Sequence, residues 1–136
     1  LLFNVGKVIL PAEVLFKQGD LLPKDRELLM SVPRLSSEIL ASAALLAGTA
    51  RIVRHVHERW DGQGGPDKLA GEKIPLGARV IAVFDAYDGL TSGGQGRRSL
   101  PTDVALKEIE TCAGKQFDPA CVTLLLRLVR EGKLAA

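Results

Sequence analysis

From position 36 onward the apolar residues recur at helical rather than alternating spacing. Ile39, Leu40, Ala43, Ala44 and Ala47 form one face, and Ile52, Val53, Val56 and Trp60 resume it after an interruption at Gly48 and Thr49. Ser36 or Ser37 is the expected N-cap of the first group, with Glu38 favourable in the first turn. Upstream, Pro23 opens a short helix over 24–30, because proline at the first helical position gives up only a donor that had no partner there. Pro33 marks a break. Positions 6–19 mix short apolar pieces with Pro11 and Gly19 and are read as a connecting loop.

Beyond residue 60 the pattern changes. Positions 61–75 hold four Gly and two Pro in fifteen residues, which predicts a structured loop. The most apolar helix candidate, 78–90, carries Asp85 and Asp88 three apart on one face. A Gly- and Arg-containing loop follows over 92–99. Pro101 starts another helix through Cys112, which Gly114 closes. Asp118 and Pro119 form an N-cap and first-position pair for a last helix over 120–130, stopped by Glu131 and Gly132. With no strand pattern, repeat or low-complexity segment, the expected fold class is all-α.

Composition narrows the picture. With 46% apolar and 25% charged residues in 136, the chain reads as a single domain, 1–136, with a real core. Its longest apolar stretch, 39–50, is too short to span a membrane and is broken by Ser42, Gly48 and Thr49. The net charge of +2, with interspersed signs, argues neither for nor against nucleic acid, but no basic block with interleaved aromatics appears and no nucleic-acid partner is expected. Cys112 and Cys121 lack CxxC spacing and sit among apolar helical residues. They are expected to be reduced, packed thiols of a cytoplasmic protein, with a disulfide or reactive role as the alternative. The chain opens on Leu1-Leu2-Phe3 without an initiator Met, a basic n-region or a cleavage site, so it is expected to be the C-terminal part of a longer protein.

The densest chemistry lies in His57-Glu58-Arg59-Trp60-Asp61-Gly62-Gln63-Gly64-Gly65-Pro66. An imidazole, carboxylates and a guanidinium at the edge of a Gly-rich loop are what a phosphate or metal site needs. That run, with Gly71-Glu72, Ile74-Pro75-Leu76 and Ala78-Arg79, then Ala82-Val83, Asp85, Asp88, Leu90-Thr91-Ser92 and Phe117-Asp118-Pro119, resembles the HD-GYP family. This is the cyclic di-GMP phosphodiesterase branch of the HD metal-dependent phosphohydrolases. Val5-Gly6-Lys7-Val8 with Pro11, Leu15 to Gly19, Lys24 to Pro33 and Glu38-Ile39-Leu40 extend the likeness over nearly the whole chain.

The resemblance implies an HD-domain-like helical bundle, here expected to lack its N-terminal helices. It also implies hydrolysis of a phosphodiester with iron or manganese held by His and Asp, ions suited to imidazole and carboxylate. Several ligand positions depart from that pattern. The family's His-Asp pair falls at Phe3-Asn4, the His of a His-Pro pair at Val32-Pro33, and the first His of a His-His-Glu triplet at Val56. Only His57 and Asp85 keep ligand types, with Lys7 placed beside the metal site. His55 is one residue out of register, about 100° around a helix. Phe3, Val32 and Val56 are expected to pack together. The GYP motif reads Gly64-Gly65-Pro66, with Gly65 in place of Tyr, and the loop at Arg97-Arg98 lacks the family's aromatic neighbour.

The first reading is therefore a catalytically inactive output domain of bacterial signalling, acting through protein interaction or cyclic di-GMP sensing. No catalytic residue, metal or other cofactor is expected, and Lys7, His57 and Asp85 are vestigial. The expected partners are an upstream receiver or sensor domain and GGDEF-type or other signalling proteins. A second reading is a cyclic di-GMP receptor using Lys7, Gly64, Gly65, Arg97 and Arg98. A third is a residual phosphodiesterase with an unusual iron or manganese site built from His55, His57, Asp85 and groups before Leu1.

Individual side chains carry expectations of their own. Asp85, inside an apolar helix, needs a partner, for which Lys7 and His57 are candidates. His57 is either a surviving ligand or a helix-end imidazole bonded to a carboxylate. Asp61, Gly62 and Gly64 are turn-makers, with Asp61 bonding backbone amides. Arg59 and Arg79 pin the long loop, and Trp60 anchors it. Asp88 caps or pairs with Arg79 or Arg97, while Arg97 and Arg98 form a solvated turn or meet phosphate.

Overall fold

A computed structural model describes residues 2–16, 22–93 and 98–134, with Phe3 as backbone alone. Arg97 and the expected packing of the Phe3 ring therefore lie outside the described residues. Every extended element described is a helix, and the one β feature is an isolated bridge between Ala113 and Phe117, so the fold is all-α. No described helix is long and apolar enough to cross a membrane. The chain forms two compact units, Leu1–His57 and Glu58–Ala136.

The first unit begins with a 3-10 helix, Leu2–Ile9, and a single turn, α1 (Ala12–Leu15), where the sequence suggests a loop. A tertiary contact explains the difference. The 3-10 helix lies against α3 (Val32–Ala41), and Gly6 makes the approach possible. Its amide donates to Ser36 Oγ at 2.8 Å, and a Cβ there would sit 2.7 Å from Ser36 N and Val32 O. Ser36 and Ser37 are thus buried inside α3 and do not cap it. Pro33 is tolerated in the first turn of α3, where it costs no hydrogen bond, so it starts a helix rather than breaking one.

Two further elements complete this unit. In α2 (Pro23–Met30), Asp25 accepts the Leu22 amide at 3.0 Å. The interruption expected at Gly48 falls earlier, at Ser42 and Ala43, and α4 (Ala47–Arg54) runs through Gly48 and Thr49. Leu40, Ala50 and Val53 form the core of this unit, with Val5 and Leu46 against it.

The second unit is built on α5 (Leu76–Ser92), α6 (Thr102–Thr111) and α7 (Pro119–Arg130). The last two begin at or beside a proline as the sequence predicts, whereas α5 starts directly after Pro75, two residues earlier than the expected 78. Val83, Tyr87, Ala105, Ile109, Phe117, Cys121, Val122 and Leu125 fill its core. The turn between α6 and α7 is closed by Gly114 at φ +77°, in the left-handed region that favours glycine. There, Cys112 O accepts the amides of Lys115, Gln116 and Phe117. Asp118 caps α7 by accepting the Ala120 amide at 2.8 Å.

Candidate functional site

The loop over 58–75 carries the chemistry singled out in the sequence, and its own groups shape it. The buried Glu58 carboxylate accepts two backbone amides, Asp67 N at 2.7 Å and Leu69 N at 3.2 Å. Within the span so closed, Lys68 takes a positive φ of 53° and the Gly65–Pro66 peptide is cis. Gly62, at φ +77°, lies so close to Ala70 that a Cβ would be 3.1 Å from the alanine methyl. At the base, Gly71 N donates to Trp60 O at 2.9 Å. Trp60 N and Asp61 N donate to Gln116 O and Lys115 O at 3.1 and 2.8 Å, tying the loop to the α6–α7 turn.

Charged groups complete the fastening. Asp61 accepts Gln63 N at 3.0 Å and a paired contact from Arg59, Nε at 3.0 Å and Nη2 at 2.7 Å. The Arg59 hydrogen bond, reinforced by the Gln63 amide, brings the Asp61 carboxyl down to a pKa of about 2. Arg79 reaches across to Asp118, Nη1 to Oδ2 at 2.7 Å, with its guanidinium 5.8 Å from the centre of the Trp60 ring. These contacts match the expectation that Asp61 bonds amides and that Arg59 and Arg79 pin the loop. Trp60 is only half-buried and lies in the turn rather than on a helical face, which ends with α4 at Arg54.

Other expected site residues stand differently. Asp85 lies on α5 and is exposed rather than buried among its apolar neighbours in sequence. Asp88 is also exposed; it accepts Ser92 Oγ at 3.1 Å, while Arg79 pairs with Asp118 instead. Lys7 is half-buried near the end of the 3-10 helix, and His57 is half-buried in the turn after α4. His55 Nδ1 lies 2.7 Å from Arg51 O. Gly64 and Gly65 are half-buried in the loop, and Arg98 is exposed. Both cysteines are free thiols, Cys121 buried and Cys112 half-buried. Burial, followed by the neighbouring Asp118 carboxylate, pushes the Cys121 thiol up.

The sequence reading assigned no work to Glu58 beyond its place in the motif and did not pair Arg79 with Asp118. A signal for the first was available, since Glu58 immediately precedes a Gly- and Pro-rich segment full of amides in need of acceptors. The second pairing joins residues 39 positions apart and needs the fold.

At the positions where the HD-GYP resemblance places metal-binding His, the first unit has Val32 and Val56, each 4% exposed and among its buried apolar residues. Asn4 offers a neutral amide where the resemblance places a carboxylate. This donor set does not fit a family-type metal ion at those positions, because isopropyl groups supply no ligand atom.

A family model described as HD domain matches residues 1–121, and the chain belongs to this family, in its HD-GYP branch. Curated relatives include the cyclic di-GMP phosphodiesterase response regulator RpfG of Xanthomonas campestris, 39% identical over 93% of this chain and 34% of that protein. A cyclic di-GMP phosphodiesterase of Thermotoga maritima is 33% identical over 96% of this chain and 36% of its own length. The chain thus spans about a third of the length of these relatives. Among solved structures, a cyclic GMP-AMP specific phosphodiesterase of Vibrio cholerae has a TM-score of 0.69 at 20% identity, covering 95% of this chain and 36% of that one, which establishes the shared fold.

Proposed function

We propose that this chain is an HD-GYP-type output domain of bacterial signalling that has kept the fold and the loop of its relatives while losing metal-dependent hydrolysis. The observation that carries the reading is the burial of Val32 and Val56, apolar side chains standing where the resemblance places metal-binding His. Relatives named cyclic di-GMP phosphodiesterases, one of them a response regulator, support the signalling context and make cyclic di-GMP the ligand to test. An upstream receiver or sensor domain and GGDEF-type proteins are the partners this reading predicts. In such a domain the loop over 58–75 and the exposed Arg98 are the features offered to a ligand or partner.

The test is hydrolysis of cyclic di-GMP by the purified protein with added manganese or iron, alongside metal analysis and a binding titration. We expect no linear dinucleotide and no stoichiometric metal. Turnover that disappears in Asp85→Ala would establish instead the residual phosphodiesterase with an unusual iron or manganese site. Saturable binding weakened by Arg98→Ala, without turnover, would identify the domain as a receptor rather than a protein-interaction module.

A further inference from the structure

We propose that Arg79 is a latch that fastens the loop over 58–75 to the start of α7, so that loop and helix end open and close together. This holds whether or not the domain hydrolyses anything, since it concerns only how the loop is kept in one form. A segment with four Gly in its last fifteen residues is entropically costly to order, and bonds inside it do not fix it to the rest of the unit.

The structure supplies an external fastening through one carboxylate with two duties. Asp118 Oδ1 accepts the Ala120 amide and caps α7, while Asp118 Oδ2 accepts Arg79 Nη1 at 2.7 Å in a pair that is largely buried. Arg79 sits one turn into α5, just beyond the loop, with its guanidinium over the Trp60 ring at the loop's other end. The same loop end is tied by Trp60 N and Asp61 N to Gln116 O and Lys115 O, two and three positions before the cap. The latch therefore joins both ends of the loop, the α6–α7 turn and the first turn of α7.

The latch is also incompletely satisfied. Arg79 Nε is buried and has no hydrogen-bond partner among the described residues. A buried donor left unmatched raises the free energy of the closed arrangement, which favours a minor open state over a permanently locked one. The Glu58 bonds to Asp67 N and Leu69 N hold the loop's middle independently, so opening at the base need not dissolve its inner turn.

Amide hydrogen exchange on the full chain tests this. Asp118→Asn keeps an acceptor able to cap α7 but removes the charge that holds Arg79. It should speed exchange at Trp60, Asp61, Gly71 and Ala120 about tenfold or more, leaving the amides of Val83 and Leu125 unchanged. Arg79→Lys, which keeps the charge but loses the planar face over Trp60, should speed the same amides less. Glu58→Gln, which weakens only the inner turn, should affect Asp67 and Leu69 and leave Ala120 as in the wild type. The proposal is overturned if Trp60 and Asp61 keep wild-type protection in both latch variants. It also fails if their exchange rises only together with the Val83 and Leu125 amides, or if Glu58→Gln releases Ala120 equally.

Discussion

Gly6 and Ser36 touch backbone to side chain, with the glycine amide 2.8 Å from the serine oxygen and space for nothing larger than hydrogen between them. The limit on residue 6 is steric rather than conformational, because Gly6 has no positive φ. Gly6→Ala should therefore act as overpacking and destabilise the first unit by about 1–3 kcal/mol. Urea denaturation followed by circular dichroism measures this, and an unchanged midpoint would mean that the 3-10 helix can lift from α3 at no cost.

Glu58 concerns the second unit. Glu58→Ala strands two backbone donors that now meet a charged acceptor, a loss of about 1.5–3 kcal/mol if they find no water. Trp60 is the only tryptophan in the chain, so its fluorescence reports the loop directly. We expect an earlier unfolding transition, with the emission of the folded protein close to wild type because the contacts that hold Trp60 at the loop's base do not involve Glu58. An unaltered transition would show that the loop does not depend on Glu58.

Asp61 makes a prediction about acid. Its folded pKa of about 2 lies below the ordinary 3.8, chiefly because of the Arg59 hydrogen bond. The sign follows from proton linkage: the contribution of Asp61 is fully present above about pH 4 and is lost as the pH falls through about 2. Carboxyl NMR should give a midpoint near 2, moving up toward 3.8 in Arg59→Ala. If Arg59→Ala leaves the midpoint where it was, the guanidinium is not its cause.

The two thiols should differ in reactivity. Cys121 is buried beside Asp118, and both effects disfavour its thiolate, whereas Cys112 is half-exposed at the end of α6. Brief alkylation at neutral pH, analysed by mass spectrometry, should label Cys112 first and leave Cys121 until the protein is unfolded. Equal labelling in the native state would contradict the described burial.

Much of the fold can be read from the chain because its helix boundaries are written in local chemistry. Pro23, Asp118-Pro119 and Gly114 each do in the structure what their backbone preferences dictate. The errors come from positions where tertiary contact outweighs those preferences. Ser36 looks like a cap by type, yet its hydroxyl is used by Gly6, 30 residues away. Asp85 looks buried from its apolar neighbours in sequence, but the helix turns it to the exposed side. The residues of the loop are legible from its family pattern. The roles of Asp61, Arg59 and Arg79 in fastening it are legible too, but not the distant partners, because Trp60 N, Asp61 N and the Arg79 guanidinium meet the α6–α7 turn and the cap that follows it.

Gly65 shows what the fold leaves undecided. A Cβ built there meets nothing within 4 Å, and its backbone needs no positive φ. Its small size, unlike that of Gly6, is not imposed by any neighbour among the described residues. A Cβ can therefore be added at residue 65 without displacing any described atom, and nothing in the described loop demands glycine there, in contrast to residue 6.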